Sequence, residues 1–354
     1  MQQVRDLLRQ LAKFDPGNAL VLSVYLDMQP HGGTPAVRPA QLMLTDRFRQ
    51  IEKTLLPRGA ALDNFRSDSE RVQRFLDEHA GPWLQGVAIF ACRSHDLFEV
   101  IETGVPFENQ VSLEPVPDLF QLARLLDEQE TVVAALVDTN TTRLFVTRRG
   151  FLEEVAGPDD DPFAYSKRNT GGLNHKQYQR RVTNQREEFA KEAASALDEL
   201  VAQEGAKRVI LAGDAVAIPL LHQALPARLE PLVHEEILRL DIKTPRHKVM
   251  SEIAPILALV EEEESHARAD QLMEAVREQG LGVIGLQETR DAFEHGQGDV
   301  LVLAQEAPLN EQERSDLVRQ ATLAGAEVDV VAGHEALQQV GGVGALLRYR
   351  PHWV

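Results

Sequence analysis

The chain has 354 residues, 43% hydrophobic and 26% charged, the proportions of a protein with well-filled cores in two or three domains. Its 55 Asp and Glu outweigh 37 Lys and Arg, and the resulting −18 repels phosphate on average, which argues against a general coat on nucleic acid or anionic membrane. One cysteine, Cys92, excludes a disulfide framework and a cysteine-based zinc site.

Val4, Leu7, Leu8 and Leu11 share one face of an opening helix. That stretch lacks the unbroken apolar core of a signal peptide. No later run approaches the roughly 20 apolar residues of a membrane span, so a cytoplasmic protein with no membrane partner is expected. Asp15-Pro16-Gly17-Asn18 breaks the helix, and ALVLSVYLD reads as a buried strand. PHGGTPAVRP, dense in Gly and Pro, reads as a loop. GVAIFACR is a second strand, followed by LFEVIETG and the proline-spaced VPFENQVSLEPVPD. FQLARLLDEQE reads as the helix leading out of this mixed α/β domain, residues 1–127.

A second unit, residues 131–268, opens with the strand TVVAALVD, turns at Thr139-Asn140 and returns through RLFVTRRG as a hairpin. After FLEEVAG come nineteen residues of little periodicity, PDDDPFAYSKRNTGGLNHK, a length that marks a functional or disordered loop. Tyr178, Val182, Phe189, Ala193, Leu197, Leu200 and Val201 then keep helical spacing up to Gly205. KRVILAGD reads as a buried strand, IPLLHQALPARL as a helix and EILRLD as a strand. The stretch from Pro245 to Gly280 is helical, with Pro255 as its candidate break. Alternating strands and helices predict a largely parallel sheet. The last unit, residues 269–354, has strands GVIGL, DVLVLA and AEVDVVAG with helices between them, a small α/β/α sandwich.

GLGVIG at Gly280–Gly285 matches a dinucleotide fingerprint in letters only. It follows a helix and ends in a strand, so it reads as a helix cap and strand start. The eleven histidines show no metal-binding pair spacing, Glu261–Glu264 reads as a solvated helix face, and Asp159-Asp160-Asp161 as a polar loop entry. No metal or cofactor is implied. Ser166–Arg186 stands apart, because Lys167, Arg168, Lys176, Arg180, Arg181 and Arg186 crowd into an otherwise acidic chain around Gly171-Gly172. Paired glycines let backbone approach a ligand closely, and flanking cations neutralise phosphate. The segment alone supports two readings equally, a basic probe entering a crowded site or a flexible surface hairpin.

KRNTGGLNHKQYQRR with its long helix, GVIGLQETRDAFEHGQGDVLVLA and GGVGALLRYR together resemble the archaeal and eukaryotic class-1 release factors and the Pelota family. They resemble more closely the bacterial relatives of these factors, Balon-like hibernation factors among them. The resemblance covers residues 131–354 and implies a central RNase-H-like release-factor domain and a C-terminal L7Ae/L30e-like sandwich. It also implies binding in the A site of the 70S ribosome. Lys167, Arg168, Asn169, Gly171, Gly172, Leu173, Asn174, His175, Lys176, Arg180 and Arg181 would then meet rRNA near the peptidyl-transferase centre. P-site tRNA and an elongation factor Tu-type GTPase are the further partners it suggests.

Two departures matter. Leu173 stands where the release factors carry the glutamine of Gly-Gly-Gln, and a leucine side chain cannot hold a water, so no catalytic residue is assigned. The first domain lacks an Asn-Ile-Lys-Ser type element, so stop-codon reading is not expected. A hibernation or stress factor without hydrolysis leads; a codon-independent peptidyl-tRNA hydrolase and a protein–protein adaptor are the alternatives.

Overall fold

The stripe of Val4, Leu8 and Leu11 is buried on α1 (Gln2–Lys13) in the computed structural model. The structure describes residues 2–29, 37–55, 59–79, 84–128, 131–148, 150–155 and 175–349, of which 2–3, 37–38 and 175–185 are described by backbone alone. By their contacts these residues form two compact units, one from Met1–Glu128 with Leu259–Val354, the other Gln129–Ala258.

In the first unit, β1 (Val21–Asp27) is followed by helices α2 (Val37–Thr54) and α3 (Ala60–His79), then β2 (Gly86–Cys92), β3 (Leu97–Thr103), β4 (Gln110–Glu114) and α4 (Phe120–Glu128). The strands form an antiparallel sheet of order β3-β2-β1-β4. Alternation along β1 sends Leu22, Val24 and Leu26 to one face, where they join Leu44, Phe48, Phe65 and Val72 of α2 and α3. Val21 and Tyr25 join the opposite core with α1 and α4. The end of PHGGTPAVRP is helical rather than loop: α2 starts at Val37, and Pro39 falls in its first turn, where a missing N–H costs nothing.

The second unit runs through β5 (Val132–Val137), β6 (Thr142–Arg148), β7 (Phe151–Val155), α5 (His175–Glu204), β8 (Arg208–Gly213) and α6 (Ala217–Ala224) to the start of α7 (Arg246–Arg277). Its sheet has the order β7-β6-β5-β8, and only β5 and β8 are parallel. The expected largely parallel sheet is therefore corrected, because β6 and β7 return by short turns instead of helical crossovers. EILRLD is also not a strand: Leu238 touches β8 through one isolated bridge, with Leu238 N–H to Leu211 O at 3.0 Å and Gly213 N–H to Leu238 O at 2.9 Å. Helix α7 continues through Pro255.

The C-terminal part of the first unit adds β9 (Gly282–Ile284), α8 (Leu286–Glu294), β10 (Gly298–Ala304), α9 (Glu311–Leu323), β11 (Glu327–Val331), α10 (Glu335–Gln339) and β12 (Val343–Leu347). The order is β11-β10-β12-β9, with β10 and β11 parallel and the other pairs antiparallel. Beyond the three expected strands, β12 is a fourth, inserted between β10 and β9.

The first and last segments share one core. Leu119, Phe120, Leu122 and Ala123 are buried with Leu301, Leu317, Val318 and Ala321. Helix α4, which reads in sequence as an exit from the first domain, packs on α1, α9 and β11. Polar groups stitch the same seam. Ser315 Oγ donates to Pro117 O at 3.2 Å, Arg319 Nε to Ala12 O at 2.9 Å, and Val330 N–H to Asp127 Oδ2 at 2.7 Å.

Candidate nucleic-acid interface

Helix α5 carries Lys176, Arg180, Arg181 and Arg186, the second half of the basic stretch. Ala190, Ala193, Ala194, Leu197, Leu200 and Val201 are buried along one stripe against β5 and α6. Of the expected interface, Lys167, Arg168, Asn169, Gly171, Gly172, Leu173 and Asn174 lie outside the described residues, as does Asp159-Asp160-Asp161. His175, Lys176, Arg180 and Arg181 lie on the first two turns of α5, which are described by backbone alone.

Charge is segregated along this part of the chain. From Pro162 to Arg186 there are six Lys and Arg and no acid; Glu187, Glu188 and Glu192 follow at once. The first turn of α5 contains no acidic residue. Unpaired backbone N–H groups give a helix N-terminus partial positive charge, so acids there are stabilising and cations are not. The sequence puts cations at the wrong end for helix stability, an arrangement that favours an approaching polyanion.

Among the other cations of this unit, Arg143 and Arg148 are committed internally. Arg143 grips Glu154 through Nε and Nη2 at 2.7 and 2.8 Å, and donates to Ile242 O and Thr244 O at 2.8 and 2.7 Å. That grip holds the Glu154 carboxyl below its ordinary range. Arg148 joins Glu153 and Glu204, tying β6 to the end of α5. These arginines brace the scaffold.

At the carboxyl end of β5 a shallow cleft opens, with Asp138, Arg186, Phe189, Ala217 and Leu220 among its walls. Asp138 Oδ1 accepts from the N–H groups of Asn140 and Thr141, both at 2.7 Å, which fixes the hairpin turn. Asp214 Oδ1 accepts from the Val216 and Ala217 N–H groups at 2.7 and 2.6 Å at the start of α6. Arg186, counted in sequence with the basic stretch without being made a site residue, interrupts the stripe continued by Ala190, Ala193 and Leu197 and lies on the wall of this cleft.

GGVGALLRYR turns out to carry structure. Gly342 has φ +73°, and a Cβ there would lie 2.8 Å from Ala307 Cβ; a Cβ on Gly344 would lie 2.5 Å from Val283 O. Arg348 donates to Asp299 at 3.0 Å and to Ala324 O and Gly325 O at 3.3 and 3.0 Å, closing the carboxyl end of α9. GLGVIG is likewise structural, with Gly280 N–H bonded to Ala275 O at 2.6 Å, β9 inside the motif and Gly285 preceding α8. Among the described residues no cluster of three or more His, Cys, Asp or Glu could hold a metal ion, and no helix is long and apolar enough to cross a membrane.

Residues 117–258 match the model of bacterial archaeo-eukaryotic release factor family 10. Over that segment, two-fifths of the chain, the sequence is similar to the bacterial archaeo-eukaryotic release-factor class. The matched stretch takes in α4 and the whole second unit, the basic stretch included. Among solved structures, the chain is similar to the archaeal translation termination factor aRF1, at 17% identity over 98% of each chain with a TM-score of 0.29. It is similar to archaeal Pelota in a ribosome-bound model with ABCE1, at 14% identity over 98% of this chain and 94% of that one, TM-score 0.43. For Archaeoglobus fulgidus Pelota the values are 18% identity, 75% and 79% coverage, and 0.36. No curated protein matches the sequence.

Proposed function

We propose that this release-factor relative binds the ribosome and directs Lys167–Arg181 toward rRNA at the peptidyl-transferase centre, shielding that centre without hydrolysis. The observation that carries the reading is the charge arrangement: six cations and no acid over residues 162–186 of a chain with net charge −18. Such segregation suits a phosphate-rich partner, and the match of residues 117–258 to a release-factor family model favours that partner over a solvated hairpin. Leu173 supports the non-hydrolytic side of the proposal, because its side chain offers no hydrogen bond to an attacking water. Delivery by an elongation factor Tu-type GTPase and contact with P-site tRNA belong to the same proposal, as does a role in hibernation or stress.

The test is co-sedimentation with purified 70S ribosomes, with peptidyl-tRNA release assayed in the same samples. Binding without release is expected, and changing Lys167, Arg168, Arg180 and Arg181 to Glu should abolish it. With about five phosphate contacts, log K should fall against log salt with a slope near −4. Binding accompanied by release would make the protein a hydrolase. A flat salt response, or unchanged binding of the charge-reversed variant, would leave the adaptor reading.

A further inference from the structure

We propose that a cleft between β4 and the start of α9 takes a primary ammonium group, the head of a lysine side chain on a partner protein. The inference goes beyond ribosome binding and does not depend on it. Alternation along β4 sends Val111 and Leu113 to the core of α2 and α3, which turns Ser112 to the opposite face, where it lines a cleft with residues of α9. Ser112 is 7% exposed, and its Oγ is buried without a hydrogen-bond partner among the described residues. The other buried polar side chains of the cleft are occupied. Asp118 Oδ1 accepts from Phe120 N–H at 3.2 Å and Oδ2 from Gln110 Nε2 at 2.9 Å. Ser315 Oγ accepts from Leu119 N–H at 3.3 Å and donates to Pro117 O at 3.2 Å. A buried hydroxyl without a partner loses its hydration with nothing in exchange, and a hydrogen-bonding group supplied from outside restores the balance.

The charge around Ser112 makes that group a cation. Glu114 and Glu311 line the same cleft, and neither has a hydrogen bond or ion pair from its side chain among the described residues. Burial, with Glu311 and Asp316 close by, pushes the Glu114 carboxyl above its ordinary range, a penalty that a cation removes. Arg314, the cation that acts on Asp118, lies over the Phe120 ring at 4.6 Å and donates to Ala307 O at 3.4 Å. Space selects among cations. The cleft has room for one water-sized group, about 10 Å³, which an ammonium fills and a planar guanidinium exceeds. Ser112 Oγ, Glu114 and Glu311 offer three acceptor groups for its three N–H bonds. Pro115 and Val116 add apolar walls that suit the methylene stem of lysine. A polyamine would set its next charge against those apolar residues, whereas lysine ends in neutral backbone.

The experiment titrates the full chain, labelled in its valine methyls, with the peptide Gly-Gly-Lys-Gly-Gly blocked at both ends, and follows the Val116 methyls by NMR. Saturable shifts are expected with this peptide, none with its Nε-acetyl-lysine counterpart, and about tenfold weaker binding with its arginine counterpart. Ser112→Ala and the exposed Glu311→Gln should each weaken the lysine peptide about tenfold. Ser112→Ala should melt at or above the wild-type temperature, because it removes an unsatisfied hydroxyl. Changing Lys167, Arg168, Arg180 and Arg181 to Glu should leave the titration as it is, which separates this site from ribosome binding. An equal response to lysine and Nε-acetyl-lysine, or wild-type affinity in both cleft variants, overturns the proposal. Spermidine binding more tightly than the lysine peptide would assign the cleft to a free polyamine and overturn the protein partner.

Discussion

Arg348 holds a strand, an acid and two helix-terminal carbonyls together with one planar group. Lysine has a single charged nitrogen and cannot reproduce the fork. Arg348→Lys should therefore lower stability nearly as far as Arg348→Ala, by about 1–3 kcal/mol, measured by chemical denaturation. Asp118 makes a different residue-scale prediction. Burial, with Glu311 and Glu114 nearby, pushes its carboxyl to about 6, although Phe120 N–H and Arg314 pull it down. Burial likewise pushes Asp329 to about 7 against the opposing pull of Arg268 at 3.3 Å. Both values exceed the ordinary 3.8, so the folded state holds protons that the unfolded chain releases. The stabilisation from these groups is greatest near pH 4 and is lost as pH rises through 6 and 7. For Asp118 alone the span is about 2–3 kcal/mol. Hydrogen exchange at β1 and β10 should slow between pH 7.5 and pH 5 after correction for intrinsic rates, and Asp118→Asn should flatten that response. Glu154 has the opposite sign, since its depressed carboxyl contributes stability that fades as pH falls.

At the scale of elements, α5 sets stability against binding. Lys176 sits in the first turn, where positive charge opposes the helix dipole. Lys176→Glu should raise stability by about 0.3–1 kcal/mol and weaken ribosome binding, two changes of opposite direction readable by melting and co-sedimentation. Periodicity made α1, β1, β5, β6 and α5 legible, because each buries one face or both against a neighbour its own spacing anticipates. It failed where pairing is decided elsewhere. An apolar run such as VVAALV does not say whether its neighbour is parallel, so the short returns through β6 and β7 overturned the expected sheet. EILRLD alternates like a strand, yet Ile237 stays 42% exposed and only Leu238 meets β8. β12 was hidden because its glycines and arginine read as a family signature before they read as a strand. The candidate site is legible in sequence only as charge, its cations standing out against −18, while Lys167 to Asn174 lie outside the described residues.

For the whole molecule, the decisive fact is that residues 1–128 and 259–354 form one unit around a common core. A fragment of residues 269–354 leaves Leu301, Leu317 and Val318 without Leu119, Phe120 and Leu122. It should melt well below the full chain or aggregate, and adding residues 1–128 in trans should restore a cooperative transition followed by circular dichroism. Residues 129–258 should keep a cooperative transition when expressed alone, since β5–β8 and α5–α6 bury their own core. Three domains were expected from sequence, and the described residues form three four-stranded sheets distributed over two compact units. What sequence does not carry is which of them share apolar surface, because the stripe on α4 fits any partner of suitable shape.

A unit assembled from both flanks of an inserted domain also imposes an order on synthesis. While the chain is being made, α1 and α4 emerge with apolar faces whose partners, α9 and β11, are still to be translated. The inserted domain, which carries the basic stretch, completes its own core first. A chain interrupted before Leu347 would thus carry a finished arm on an unfinished body, with Leu119 and Phe120 exposed to proteases and chaperones. Survival of the arm in the cell is tied to completion of the strand that holds Arg348 in place.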